Sequence, residues 1–173
     1  VVTRIVPLVS DAEFLVQLDV AGGTAAMLLD QSALGGWSST ELPFGLPAGA
    51  LVLAGSWRER AVMFLDDRRV VQRSAAGDRT LLVTAAPVVA AGVAPGGMLM
   101  LDGDGTLYQQ ARFLAPRSVA TYRLGALSSL AAGERGRIVA QKGAVLVVQA
   151  GSSLFLLTRS RSVEVPGVEG AVF

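Results

Sequence analysis

Apolar residues in this chain come in short runs of roughly four to eight positions, the length of β-strands, and each run is closed by Gly, Pro, Asp or Ser. No apolar pattern at helical spacing is long enough to stand as an amphipathic helix. The runs predict a short leading strand at Thr3–Leu8, a hairpin formed by Glu13–Val20 and Thr24–Asp30 around Gly22-Gly23, and one weak strand near Trp37–Leu42. Four further strands are expected at Ala50–Ala54, Arg60–Leu65, Arg69–Arg73 and Arg79–Thr84. Another four are expected at Met98–Leu101, Thr106–Phe113, Ser118–Leu124 and Gly136–Ala140, and a last three at Ala144–Gln149, Ser153–Thr158 and Ser162–Val165. Several runs are nearly continuous, such as Met98-Leu99-Met100-Leu101 and Leu146-Val147-Val148, which implies strands buried on both faces rather than one. On that ground Leu51, Leu53, Leu99, Leu101, Phe113 and Val147 are expected in the core.

The runs also repeat. Pro47 to Gly55 is answered by Pro95 to Gly103 and more weakly by Leu146 to Gly151, so Gly55, Gly103 and Gly151 stand 48 residues apart. Phe64-Leu65-Asp66-Asp67-Arg68 returns as Phe113-Leu114-Ala115-Pro116-Arg117. A fixed period of this size marks a supersecondary unit that buries its apolar face only against stacked copies. The expectation is one all-β domain over 1–173, in repeated four-stranded antiparallel units at 10–46, 47–90, 95–141 and 143–166. The last unit is one strand short, so segment 3–8 is expected to close the sheet beside Ser162–Val165.

A four-stranded meander repeated at this period resembles the β-propeller superfamily, here as a small or partial ring. The resemblance lies in period and strand count over Leu42–Val165 and more loosely over the first 40 residues. It lacks the Trp-Asp dipeptide of WD40 blades and the glycine pair and spaced aromatics of kelch. A β-sandwich is the competing fold.

Composition narrows the functional classes. The 173 residues include 15 basic and 14 acidic side chains, interspersed, which leaves no electrostatic footprint for nucleic acid. Hydrophobic residues make up 51% and charged residues 17%, with mean hydropathy +0.51, so much of the surface is expected to be covered by another protein or another copy. Histidine and cysteine are both absent, which excludes Ser-His, Cys-His and zinc arrangements made within the chain. Thr80 to Leu101 is uncharged, but Pro87, Gly92, Pro95, Gly96 and Gly97 would break a membrane helix; it reads as two buried strands joined by a loop.

The remaining polar clusters read as turns. Asp102-Gly103-Asp104-Gly105 lacks the rest of a calcium loop and reads as a tight hairpin turn. Asp66-Asp67-Arg68-Arg69 and Arg159-Ser160-Arg161 read the same way, and Lys142 as a strand-end charge. Trp57, Arg58 and Arg60, at one tip, have the composition of interface anchors, with Arg68 and Arg117 as further contacts. No catalytic, cofactor or metal site is expected. The function expected is a non-catalytic interaction or scaffold module belonging to a larger assembly. The alternative is a small-ligand or carbohydrate binder, or a carboxylate-based enzyme, with its site in loops over a propeller axis. The sequence does not indicate a compartment.

Overall fold

The structure, a computed structural model, describes residues 2–7, 13–21, 23–31, 35–47, 50–56, 60–94, 97–111, 114–130 and 135–167. It divides into two compact units, Val1–Val83 and Thr84–Phe173. The fold is all-β, in four-stranded antiparallel meanders, and among the described residues the one helical element is a 3-10 turn at Gly125–Ser129.

In the first unit, β1 (Val2–Pro7), β2 (Glu13–Val20), β3 (Gly23–Gln31) and β4 (Trp37–Glu41) form one sheet. A second sheet holds β5 (Leu51–Ser56), β6 (Ala61–Asp66), β7 (Arg69–Ser74) and β8 (Gly77–Val83). Strand order follows chain order in both, the connectivity of a propeller blade rather than of a Greek-key sandwich. Leu15, Ala26 and Leu28 of the first sheet meet Val52, Val62, Phe64 and Val71 of the second, with Leu42, Leu46 and Ala50 from the connection completing the core.

The second unit is one eight-stranded sheet made of two meanders. The strands are β9 (Val88–Ala94), β10 (Gly97–Asp102), β11 (Thr106–Gln110) and β12 (Arg117–Thr121), then β13 (Gly136–Lys142), β14 (Val145–Ala150), β15 (Ser153–Leu157) and β16 (Ser162–Val165). Their order is β12-β11-β10-β9-β13-β14-β15-β16, so the two meanders join through their first strands, β9 and β13, which pair in parallel at Gly136↔Ala90 and Arg137↔Ala91. Glycine permits that seam: a Cβ on Gly92 would run into the Ile138 carbonyl oxygen. Leu99, Leu101 and Leu107 of one meander pack with Ile138, Leu146, Val148, Phe155 and Leu157 of the other, and Leu127 of the 3-10 turn fills the same core.

Three expectations are corrected. Segment 3–8 does not lie beside Ser162–Val165: β1 pairs with β2, with Val2 opposite Leu18 and Ile5 opposite Val16, while β16 pairs with β15. A strand that can pair with its immediate successor closes a short loop, which costs far less chain entropy than a closure spanning the molecule. Next, Gly136–Ala140 belongs to the last meander, hydrogen-bonded to β14, and not to the one before it. The strand that fills its expected place is β9, Val-Val-Ala-Ala-Gly-Val-Ala, hidden in what reads as a loop. Its small residues and flanking prolines mimic a breaker, yet small residues are what the close β9–β13 seam requires. With both strands placed, the last meander has four strands and no deficit.

The third correction concerns phase and burial. Gly103 and Gly151 both follow the second strand of a meander, but Gly55 lies in β5, the first strand of its meander, so the three are not equivalent. The second-to-third-strand turn of the β5–β8 sheet is instead at Asp67-Arg68, where Asp67 adopts φ 52 in the role Gly151 fills at φ 56. Leu53, Leu99 and Leu101 are buried as expected, whereas Leu51 and Val147 are half-buried; for Val147 the reason is that the buried face of β14 belongs to Leu146 and Val148. Phe113 lies outside the described residues.

Candidate interaction surface

The second strands of the two middle meanders are hidden on both faces. In β6, Val62 and Phe64 occupy one side and Ala61, Met63 and Leu65 the other, and all are at most 1% exposed. In β10, Leu99 and Leu101 point into the core and Met98, Met100 and Asp102 point the other way, and these too are buried.

Asp102 is a carboxylate at 0% exposure, held entirely by its own turn. Its Oδ1 accepts the amides of Asp104 (3.1 Å) and Thr106 (2.8 Å), and its Oδ2 accepts the Tyr108 hydroxyl (3.1 Å). The turn closes through the Gly105 amide donating to the Asp102 carbonyl at 2.9 Å. Burial first, and then the neighbouring Asp102 charge, push the Tyr108 phenol above its ordinary value. The cluster is a turn clamp whose carboxylate oxygens are occupied by protein donors.

A second polar cluster is also structural. Arg73 on β7 makes a two-pronged contact with Asp78, Nε to Oδ1 and Nη2 to Oδ2 at 2.7 Å each, donates from Nη1 to the Gly45 carbonyl at 2.5 Å, and lies 5.2 Å from the centroid of the Phe64 ring. The hydrogen bond to Asp78 raises the Arg73 pKa, and the same bond lowers that of Asp78. The guanidinium thereby ties β7, β8 and the β4–β5 connection together around an aromatic ring.

The predicted turns are in place. Arg69 pairs with Asp66 across the β6–β7 turn, and Lys142 is exposed at the end of β13. In the Arg159-Ser160-Arg161 turn, the Thr158 amide donates to the Arg161 carbonyl at 2.8 Å and the Arg161 amide donates back to Thr158 Oγ1 at 3.0 Å. Of the expected interface anchors, Trp57 and Arg58 lie outside the described residues. Arg60 is exposed with φ 47 just before β6, Arg68 is exposed in the β6–β7 turn, and Arg117 is exposed at the start of β12. Arg68 and Arg117 therefore occupy different places in their meanders. An open depression of about 590 Å³ in the second unit is lined by Asp104, Ala120, Thr121, Tyr122, Arg123 and Arg159.

The middle meanders expose Val83 (59%) on β8 and Val119 (39%) on β12, whereas on the terminal meanders the exposed apolar residues fall in rows. On the last, β14–β16 present Val147, Leu156 and Val163 in one cross-strand row and Gln149, Leu154 and Val165 in the next, all on the side away from Leu146, Val148, Phe155 and Leu157. Leu156 is 37% exposed, Val163 46% and Val165 40%. Alternation in β16 is inverted: Ser162 and Glu164 fall on the core side, with Glu164 accepting from Ser153 Oγ at 2.9 Å, and the valines face out. The first meander shows the same asymmetry. Register puts Ile5, Val16, Met27 and Glu41 in one row on the side opposite Leu15 and Leu28; Val16 is covered, Met27 half-covered, and Ile5 60% exposed. Trp37 lies on that side as well and is exposed. These faces escape a reading by apolar runs because a run shows how much of a strand is apolar, not which side is covered. The period-two spacing of Val163 and Val165 was the available signal.

No protein-family model matches this sequence. No curated protein matches it either. Among solved structures, the chain is similar to the crystal structure of HIRA(644-1017), at 16% identity and a TM-score of 0.40, over 96% of this chain and 54% of that one. It thus spans about half the length of that structure.

Proposed function

We propose that this chain is a non-catalytic interaction module, a run of four propeller-type blades that forms one domain and belongs to a larger assembly. The observation that carries this reading is the outward face of β14–β16. Leu156, Val163 and Val165 stand exposed there beside half-buried Val147 and Leu154, on the side of the sheet opposite buried Leu146, Val148, Phe155 and Leu157. Scattered apolar residues need no explanation, but a contiguous row on a regular sheet is the signature of a surface that meets protein. In this reading Arg60, Arg68 and Arg117, with Trp57 and Arg58, are kept as further contact candidates on the ground of residue type.

A photoreactive residue placed at Leu156 in the source cell tests the module. Discrete protein adducts are expected from that position, with none from the same probe at Asp104. The second reading, ligand binding, draws on the Arg123, Arg159 and Asp104 depression. Saturable binding of a small anion that is lost in Arg123→Ala and Arg159→Ala, with no protein adduct at Leu156, would replace the scaffold reading with that one.

A further inference from the structure

We infer that the open edge of β16 is a docking site for an extended strand of a partner protein, apolar at alternate positions and carrying a lysine or arginine between them. The inference rests on the module reading above and names the kind of partner. Edge strands leave backbone donors and acceptors unpaired, and folds blunt them with bulges. Among the described residues, six strands stand at sheet edges: β1, β4, β5, β8, β12 and β16. Four of them carry one residue more than the neighbouring strand matches, Thr3 in β1, Leu53 in β5, Leu81 in β8 and Val119 in β12. β4 and β16 pair without a shift. Of these two, β4 is polar at its centre, Ser38-Ser39-Thr40, while β16 alternates, with Val163 and Val165 exposed on one side and Ser162 and Glu164 on the other.

The hairpin before β16 fixes which of its backbone groups face away from the sheet. The Thr158 amide donates to the Arg161 carbonyl across the turn, so these two residues form a hydrogen-bonded pair. Such pairs alternate along an antiparallel ladder, so Val163 and Val165 turn their amides and carbonyls to β15, while Ser162 and Glu164 turn theirs to the open edge. A Cβ on Gly125 of the 3-10 turn would collide with the Ser162 side chain, which leaves Glu164 as the centre of the open stretch. A strand added there gains main-chain hydrogen bonds, and its alternate side chains extend the outward rows that Val163 makes with Leu156 and Val165 with Leu154. On the other face, the incoming residue beside Glu164 meets an exposed carboxylate whose hydrogen-bond donor is the neutral Ser153 hydroxyl, at 2.9 Å. A cation there compensates the charge. A second copy of β16 supplies none: with the valines of both copies on one face, antiparallel register sets Glu164 opposite Ser160, Ser162, Glu164 or Pro166 of the copy.

Fluorescence anisotropy with two short labelled peptides tests the edge. One alternates valine with lysine, and the other has glutamate in place of lysine. The lysine peptide is expected to bind saturably, and the glutamate peptide at least about threefold more weakly. Glu164→Gln should weaken the lysine peptide by about two- to fivefold. Glu164→Pro should abolish its binding, because proline removes the amide that faces the edge and none that bonds β15. Far-UV circular dichroism and a cooperative melt check that this variant folds. Hydrogen exchange on the wild-type chain gives a second readout that needs no variant: the bound lysine peptide should slow exchange of the Glu164 amide and leave that of Val163, already bonded to β15, unchanged. A lysine peptide that fails to bind saturably, equal binding of the two peptides, or a Glu164 amide that exchanges no more slowly in the complex overturns the edge site. Discrete Leu156 adducts from a chain that binds neither peptide would overturn the edge site and leave the module reading standing.

Discussion

Strands β10 and β14 are counterparts, each the second strand of its meander, and their sequences, Met98-Leu99-Met100-Leu101 and Val145-Leu146-Val147-Val148, are almost equally apolar. All four residues of the first are buried, while in the second Leu146 and Val148 are buried and Val145 and Val147 are half-covered. The difference teaches that two equally apolar runs can be covered on both sides or on one, so composition does not say how many faces of a strand the fold itself covers. Two-sided apolarity in β10 is satisfied within the fold; in β14 it is satisfied on one side.

The sharpest way to break the comparison is a matched pair of truncations. Leu99→Ala, at 1% exposure, is expected to cost about 2 to 5 kcal/mol in urea unfolding, as core truncations do. Val147→Ala in the isolated chain should cost less than about 1 kcal/mol. A Leu99→Ala loss below about 1 kcal/mol would put that side chain at the surface and dissolve the distinction.

Next in size is the polar clamp on the β10 side. Asp102→Ala leaves two turn amides and the Tyr108 hydroxyl without their acceptor, at an expected cost of about 1 to 3 kcal/mol by thermal or urea denaturation. No counterpart carboxylate exists after β14, where Ala150-Gly151 makes the turn, so Ala150→Ser there should be close to neutral.

Smaller still is the alkaline response. Tyr108 has its pKa raised in the fold, so it contributes stability that is fully present below the ordinary tyrosine range, about 10, and is lost as pH rises through the higher folded value. Wild-type protein should therefore lose stability above about pH 10 more steeply than Tyr108→Phe in parallel melts. The acid side runs the other way. Asp78, lowered by its Arg73 bond, contributes stability present above the ordinary aspartate range, about 4, and lost as pH falls below it. Because Asp78 is 45% exposed, Asp78→Asn should flatten acid unfolding by less than about 1 kcal/mol.

Much of this fold was legible in the chain. The turn after Leu101, the Gly22-Gly23 hairpin, the sheet Leu51–Val83 and the all-β class follow from strand-length runs and their breakers. The frame of the repeat was not, for two physical reasons. Strand β9 is built of alanine, valine and glycine to fit beside β13, and small residues between prolines carry the local signature of a loop. Gly55 mimics Gly103 because any strand may end in glycine, whichever place it holds in its meander. The candidate surface was legible only as an excess of hydrophobicity. Its location depends on which alternate residues of β14–β16 face the core, and that is fixed by tertiary packing, not by the run itself. The tip at Trp57–Arg60, favoured by composition, lies mostly outside the described residues, and what Arg60 shows there is exposure and a left-handed backbone.

The most direct measurement of the central claim, that the terminal faces are built to be covered, is the cost of Val147→Ala followed as a function of protein concentration, beside Leu99→Ala in the same urea titrations. If a second copy covers β14, the Val147→Ala cost rises with concentration as the junction forms, because partner binding adds to stability by mass action, while the Leu99→Ala cost stays constant. A Val147→Ala cost that already matches the Leu99→Ala cost in dilute samples would contradict the claim, because that side of β14 would then be covered within the chain itself, whereas a small and unchanged cost would exclude a second copy as the cover.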